Sequence, residues 1–160
     1  FILQAHSAQA MQPCMASTLT KEQAIERYDN MVVVKIKSSI DKTDWFFENY
    51  KIKYQDPPEE QKKFEEIFIA YVTYEATVLE SFKGSLKGEI KLAEIRHAFS
   101  SYSGTLTAGF YYILGLNEQS DNEINFIPED VILMPDCTAI SIGLNKSYGE
   151  FLAKVAEFRK

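Results

Sequence analysis

Apolar and polar residues alternate in several short segments of the chain, which predicts a mainly β structure. In the segment from Met31 to Ser39, Val32, Val34 and Ile36 fall on one face and two lysines fall on the other. This pattern is typical of a half-buried strand. Further strands are expected at residues 67–82, 89–95 and 108–116, and at 131–134 with 138–143, the last two as one broken strand or two strands.

Two capping boxes predict a helix near each end of this strand region. Thr20 and Gln23 have the spacing of the first box and start a helix expected over residues 20–30. Ser147 and Glu150 form the second, before an apolar stripe that includes Phe151 and Val155. The predicted fold class is mainly β, a five-stranded OB-type β-barrel with short flanking helices. Strand spacing alone leaves a β-sandwich open.

Residues 41–66 read as an insertion in this barrel, with an aromatic ribbon followed by a short helix that starts near residue 56. The candidate partner-binding residues lie here: Trp45, Phe46, Phe47 and Tyr50. Aromatic side chains dominate the binding energy of interfaces, so a protruding cluster would suit a recognition surface. The interpretation that the pattern favours, however, is structural: these rings pack the insertion helix, with Phe64 and Phe68, onto the barrel.

Composition narrows the classes of partner. The net charge is −6 and the pI is near 5.0, and such a surface repels phosphate backbones, so no nucleic acid is expected. No apolar run approaches the ~20 residues of a membrane span. Residues 1–10 resemble a signal-peptide remnant or N-terminal tail, with Ala8 and Ala10 at a cleavage-type spacing. We therefore expect a secreted or periplasmic chain, with a single domain over residues 11–160.

No motif for catalysis, metal binding or a cofactor stands out, so the expectation is no enzyme, no catalytic residue, no metal and no cofactor. The only histidines, His6 and His97, have no partners at ligand spacing. The serines of the polar loop at residues 100–107 lack the glycine-flanked turn of a nucleophile. That loop is the second choice for a binding surface if residues 41–66 are purely structural.

The order of these segments resembles the netrin-like domain found in tissue inhibitors of metalloproteases. The resemblance covers residues from about Cys14 to Cys137. The segments that carry it are Glu22-Gln23-Ala24 in the first helix, the Val-rich strand at 31–34, Phe82-Lys83-Gly84 before the strand at 89–92, and the buried-type strand at 109–115.

The resemblance implies one disulfide, Cys14 to Cys137, and two departures from the family. Gln12 stands where the family has its first cysteine, and Ser103-Gly104 stands where it has a Cys-Gly step. The family inhibitors chelate a protease zinc through the amino group of an N-terminal cysteine. Met11-Gln12-Pro13 precedes Cys14 here, so no inhibition by that route is expected.

The function expected from these observations is a non-catalytic, inhibitor-like protein-interaction module that binds another extracytoplasmic protein. The alternative is a small-ligand or carbohydrate-binding barrel, with Tyr and Trp lining a groove.

The disulfide is directly testable. We expect the native protein to show no titratable thiol until it is reduced. Reduction should then lower the free energy of unfolding, because the bridge closes a loop of about 120 residues, worth roughly 4–5 kcal/mol in the chain-entropy model. Two thiols titrating in the native, unreduced protein would rule the bridge out.

Overall fold

The computed structural model describes residues 19–54, 59, 62–63, 66, 68–97, 106–117, 126–134, 139–143 and 148–160, and these are mainly β. They contain six strands in one sheet and three helices of continuous described backbone. In chain order the elements are α1 (Lys21–Arg27), β1 (Asn30–Asp41), α2 (Thr43–Tyr54), β2 (Phe68–Lys83), β3 (Gly88–His97), β4 (Tyr111–Leu116), β5 (Val131–Leu133), β6 (Ala139–Gly143) and α3 (Tyr148–Arg159).

The strands follow the order β5-β3-β2-β1-β4-β6 across the sheet. All neighbours are antiparallel except β3 and β5, which are parallel. The hydrogen-bonded ladder is open among the described residues, since β5 and β6 form its two edges. These edge strands follow one another in the chain, separated only by residues 134–138.

Strand β1 is buried on both faces over its first half. Val32, Val34 and Ile36 belong to one hydrophobic cluster, which also takes in residues of β2, β3 and β4. Met31 and Val33 belong to a second cluster on the opposite face, together with residues of α1, β4 and α3. The uninterrupted apolar run from Met31 to Val34, which precedes the alternating part of β1, therefore reflects burial on both faces. We call the first cluster the inner core and its face of the sheet the inner face.

Helices α1 and α3 cover the other face. Ala24 of α1, Tyr28 directly after it, and Phe151, Val155 and Phe158 of α3 are all buried there. Helix α3 is also fastened to β2, because the Arg159 guanidinium donates two hydrogen bonds of 2.8 Å to the Glu80 carboxylate. Two parallel hydrogen bonds between a guanidinium and a carboxylate fix the relative orientation of the two groups better than a single contact does.

The capping box predicted at Thr20 is confirmed. The Thr20 amide donates to Gln23 Oε1 at 3.0 Å, and the Gln23 amide donates to Thr20 Oγ1 at 3.3 Å. Helix α1 ends at Arg27 rather than at residue 30, because Tyr28 is already extended and Asn30 starts β1. The second predicted box begins at Ser147, which lies outside the described residues.

The strand predictions hold with small shifts at their ends. The strand expected from residue 108 begins at Tyr111, because Gly109 has a positive φ of 88° and forms a turn. The turn predicted at Lys83-Gly84 is confirmed, and Gly84 has a φ of 86°. The strand expected to be broken near residue 135 is present as two short strands, β5 and β6, on opposite edges.

Close packing at Gly115 gives a test of this arrangement. A Cβ at this position would overlap the ring of buried Tyr28, so Gly115→Ala should lower the free energy of unfolding by about 1–3 kcal/mol. Gly149 in α3 meets nothing within 4 Å, so Gly149→Ala is the matched control and should be neutral or stabilising by up to about 1 kcal/mol. Denaturant melts of the two variants check this; equal stability would contradict the α1–β4 packing.

Candidate functional site

The aromatic segment forms a helix, α2, so the predicted ribbon is wrong. The Thr43 amide and hydroxyl both donate to Asp41 Oδ1, at 2.9 and 2.5 Å, and the Phe46 amide donates to the Lys42 carbonyl at 2.9 Å. These bonds start a helical turn immediately after β1. The hydrogen bonds from the Thr43 side chain and then its backbone also lower the pKa of Asp41. Phe46 and Tyr50, four positions apart, then share one face of the helix.

A second helical segment follows in the same insertion. Glu59, Lys62, Lys63 and Glu66 have helical backbone and are exposed, and the residues around 56 predicted to start this helix lie outside the described part.

Phe46 is part of the core. It has no exposed surface and lies in a cluster with Tyr71, Ala93, Ile127 and Val131. Its ring centroid is 5.0 Å from that of Tyr71 and 5.2 Å from that of Phe126. Phe46 therefore anchors α2 to the sheet and has no surface to offer a partner.

Trp45 differs from its neighbour. As a residue it is 37% exposed, although its ring stacks on Tyr71 with centroids 5.8 Å apart and meets the Phe126 ring edge-on at 5.9 Å. The side chain is thus held by two rings while more than a third of it faces water. Phe47 and Tyr50 are half-buried.

Tyr71 is the common support of these rings. Only 1% of it is exposed, and its backbone amide donates to Thr43 Oγ1 at 3.1 Å, which joins β2 to the start of α2. Burial raises the pKa of Tyr71 to about 12. The ring is therefore neutral at all physiological pH values, and the stacking beneath Trp45 does not change with pH in that range.

Ile40 brings a second exposed apolar side chain to the same region. A register shift between Ile36 and Ser38 places Ile40 opposite Thr73, and Ile40 is 51% exposed. Without this bulge, Ile40 would continue the inner row that ends at Ile36. We call the exposed segment from Ile40 to Trp45 the β1–α2 corner.

Two concavities meet at Lys42 in the middle of this corner. The first has a volume of about 550 Å³ and lies along residues 41–45. The second, of about 210 Å³, lies between Ile40 and β5, where Lys91 and Asp130 are joined by a 3.0 Å ion pair. Acidic and basic groups alternate around both. The hydrogen bond from Lys91 lowers the pKa of Asp130, so the rim stays charged above mildly acidic pH.

A cluster of ionisable groups lies elsewhere, on the inner-face row of β3. The Tyr74 hydroxyl donates to Glu94 Oε2 at 2.9 Å, and Arg96 Nε lies 3.5 Å from Glu94 Oε1. Burial, followed by the charge of Glu94, raises the pKa of Tyr74. Because carboxylate and guanidinium balance one another and Tyr74 stays protonated, this cluster fits a structural role. Its signal in the sequence is the step from Leu92 to Glu94 and Arg96, where the apolar row turns polar.

The other sequence candidates fall mostly outside the described residues. This holds for His6, Cys14, Cys137 and the serines at 100–103. His97 ends β3, and its side chain is not described. Within the described ranges no three potential metal ligands come together, and no helix has the length and apolar character to cross a membrane. Sequence reasoning missed Ile40, because its exposure depends on the bulge.

No protein-family model matches the chain, and no curated protein matches it. The resemblance to netrin-like domains therefore stays a prediction from the residues quoted above.

The neighbouring residues Phe46 and Trp45 should differ sharply in their effect on stability. Phe46→Ala removes a fully buried ring and should lower the free energy of unfolding by about 3–5 kcal/mol. Trp45→Ala should cost less, about 2–3 kcal/mol, because more than a third of this residue is already in water. Urea melts of both variants measure this; equal losses would show that Trp45 is a core residue.

Proposed function

We propose that this chain is a non-catalytic, extracytoplasmic protein-interaction module, and that it binds its partner through the β1–α2 corner. The observation that carries the proposal is the state of Trp45, exposed by 37% and yet held between Tyr71 and Phe126.

Tryptophan is enriched among the residues that contribute most to binding energy. A flexible aromatic side chain loses rotamer freedom when a partner covers it, at a cost of about 0.5–1.5 kcal/mol. The stacking of Trp45 on Tyr71 means that most of this ordering has already occurred in the free protein. Burial of the remaining indole surface by a partner would therefore stabilise the complex with little entropic loss.

The surroundings of Trp45 support an interface centred on it. Ile40 supplies a second apolar contact, and the concavities on either side of Lys42 give a partner's side chains places to enter. Asp41 and Asp44 surround the apolar pair with charge. An apolar centre with a polar rim is the usual anatomy of a protein interface.

The scaffold we propose is a closed barrel of OB type, in which β5 and β6 are two halves of one strand. The six residue steps from Leu133 to Ala139 can span at most about 21 Å, whereas the edges of a flat six-stranded sheet lie about 24 Å apart. The sheet must therefore curl to bring its edges within reach of this short link. The inner core, which joins residues of β1, β2, β3 and β4, supports the same geometry.

The netrin-like resemblance supports the extracytoplasmic location and the inhibitor-like role, since such domains act by binding other proteins. The proposal does not include zinc chelation. That route uses the amino group of an N-terminal cysteine, and Met11-Gln12-Pro13 precedes Cys14 here.

The corner can be tested with a matched pair of variants. Trp45 and Phe110 are both 37% exposed, but Phe110 lies in the turn before β4, outside the corner. Proteins captured from an extracytoplasmic extract by the wild-type chain should be retained by Phe110→Ser and lost by Trp45→Ser. With the purified partner, Trp45→Ser should weaken binding by about 30-fold or more, the effect of a 2 kcal/mol hot spot.

Fluorescence gives an independent measurement, because Trp45 is the only tryptophan in the chain. Its emission should shift to shorter wavelength when the partner binds to the wild-type chain. Equal affinity of both variants, with no change in emission, would place the interface elsewhere and overturn the proposal.

A further inference from the structure

Asn30 occupies a position that the fold otherwise gives to apolar side chains. It has the same parity along β1 as Val32, Val34 and Ile36, and it is the register partner of Leu116 on β4. Its side chain therefore continues the inner row by one step, toward the end of the sheet where β1 begins. At 7% exposure it is the one buried polar residue among those described.

The side-chain amide of Asn30 makes no hydrogen bond to any residue within the described ranges. Leaving a buried polar group without a partner costs about 1–3 kcal/mol. Buried amides in native proteins nearly always have a protein group or an ordered molecule to bind. Among the described side chains only Arg96 Nη2 is both fully buried and without a partner, so the Asn30 amide is not sealed off and can be reached by water or by a ligand.

The turn after β2 fixes where this amide lies. A Cβ at Gly84 would fall on Asn30 Oδ1, and Gly84 has the positive φ that favours glycine. Because glycine has no side chain, position 84 leaves the space that the Asn30 amide occupies.

Asn30 lines a cavity of about 280 Å³ at this end of the sheet. Leu86, Leu116, Val131 and Ile132 form its apolar part, and Ser85 and Glu129 are exposed at its rim. Leu86, Leu116 and Ile132 also belong to or contact the inner core, so the cavity is the open end of that core. Ligand sites are common in the mouths of β-barrels.

Asn117 brings a second amide into the same cavity with a defined orientation. Its Oδ1 accepts a 3.1 Å hydrogen bond from the Asp29 backbone amide. Its Nδ2 is therefore left as a donor, and it has no acceptor in the described part of the chain. Two amides, one hydroxyl and one carboxylate thus surround an aliphatic floor.

We propose that this cavity binds a small neutral ligand rich in hydroxyl groups, of about the size of one sugar ring. A hydroxyl group both donates and accepts, as the Asn30 amide does. The aliphatic floor matches the C–H face of such a ring. The described lining contains no cationic side chain, and the rim carboxylate of Glu129 disfavours an anion. Asn30 and Trp45 lie at opposite ends of β1, although Val131 lines both this cavity and the smaller concavity beside Ile40.

The experiment uses three neutral probes, the methyl pyranosides of glucose, galactose and mannose, added to the full chain labelled with ¹⁵N. At least one should shift the side-chain NH₂ resonances of Asn30 and Asn117 in a saturable way, with a Kd of about 1 mM or tighter. Asn30→Ala should weaken that binding about tenfold or more, as expected for loss of a buried hydrogen-bonding partner. Trp45→Ser, at the distant corner, should leave it unchanged.

Thermal melts without ligand separate a binding role from a structural one. Because the Asn30 amide has no partner in the fold, Asn30→Ala should leave the melting temperature unchanged or raise it. Asn117→Ala should lower it, since the Asp29 amide loses its acceptor. The proposal is overturned if no pyranoside shifts either resonance, or if Asn30→Ala destabilises the chain as much as Asn117→Ala does.

Discussion

Burial of β1 on both faces is the constraint on which the rest of the structure depends. The strand lies between β2 and β4, so its edges are paired, and Asn30–Val34 have almost no contact with water. One face requires the inner core, and the other requires α1 and α3 to cover Met31 and Val33. The bulge after Ile36 then turns the end of the strand outward, and the helix that carries Trp45 starts three residues after Ile40.

Much of this organisation could be predicted from the sequence. The alternation in β1, the capping box at Thr20 and the turn at Gly84 are local signals, and each of them holds. The sequence did not predict helix α2, because its aromatic residues fit both the two-residue period of a strand and the four-residue spacing of one face of a helix. The hydrogen bonds from Thr43 to Asp41, which favour the helix, have no signature in the hydrophobic pattern. Prediction fails where local patterns compete and tertiary contacts decide.

The proposed site lies in the segment that the sequence singled out, but its members could not be predicted. Four aromatic residues drew attention to this segment, yet the sequence could not separate Phe46, which is buried, from Trp45, which is partly exposed. That division depends on which ring faces β2, and hence on the direction in which α2 leaves β1. Ile40 and Asn30 were missed for related reasons. A bulge in β1 moves Ile40 to the opposite face of the sheet. Asn30 stands out only when its lack of a hydrogen-bonding partner is known.

The position of α3 has a consequence for the order in which the protein folds. The cover of the outer side of β1 is complete only when α3 lies across it beside α1, with Arg159 bound to Glu80. A ribosome adds α3 about 125 residues after Val33, which at 5–20 residues per second takes roughly 6–25 s. Until then Met31 and Val33 have only the segment of α1 and Tyr28 to cover them, and Ile113 adds to this incompletely covered apolar strip once β4 has been synthesised. The nascent chain therefore offers chaperones a sustained binding site, and truncation before α3 would leave a sheet prone to association.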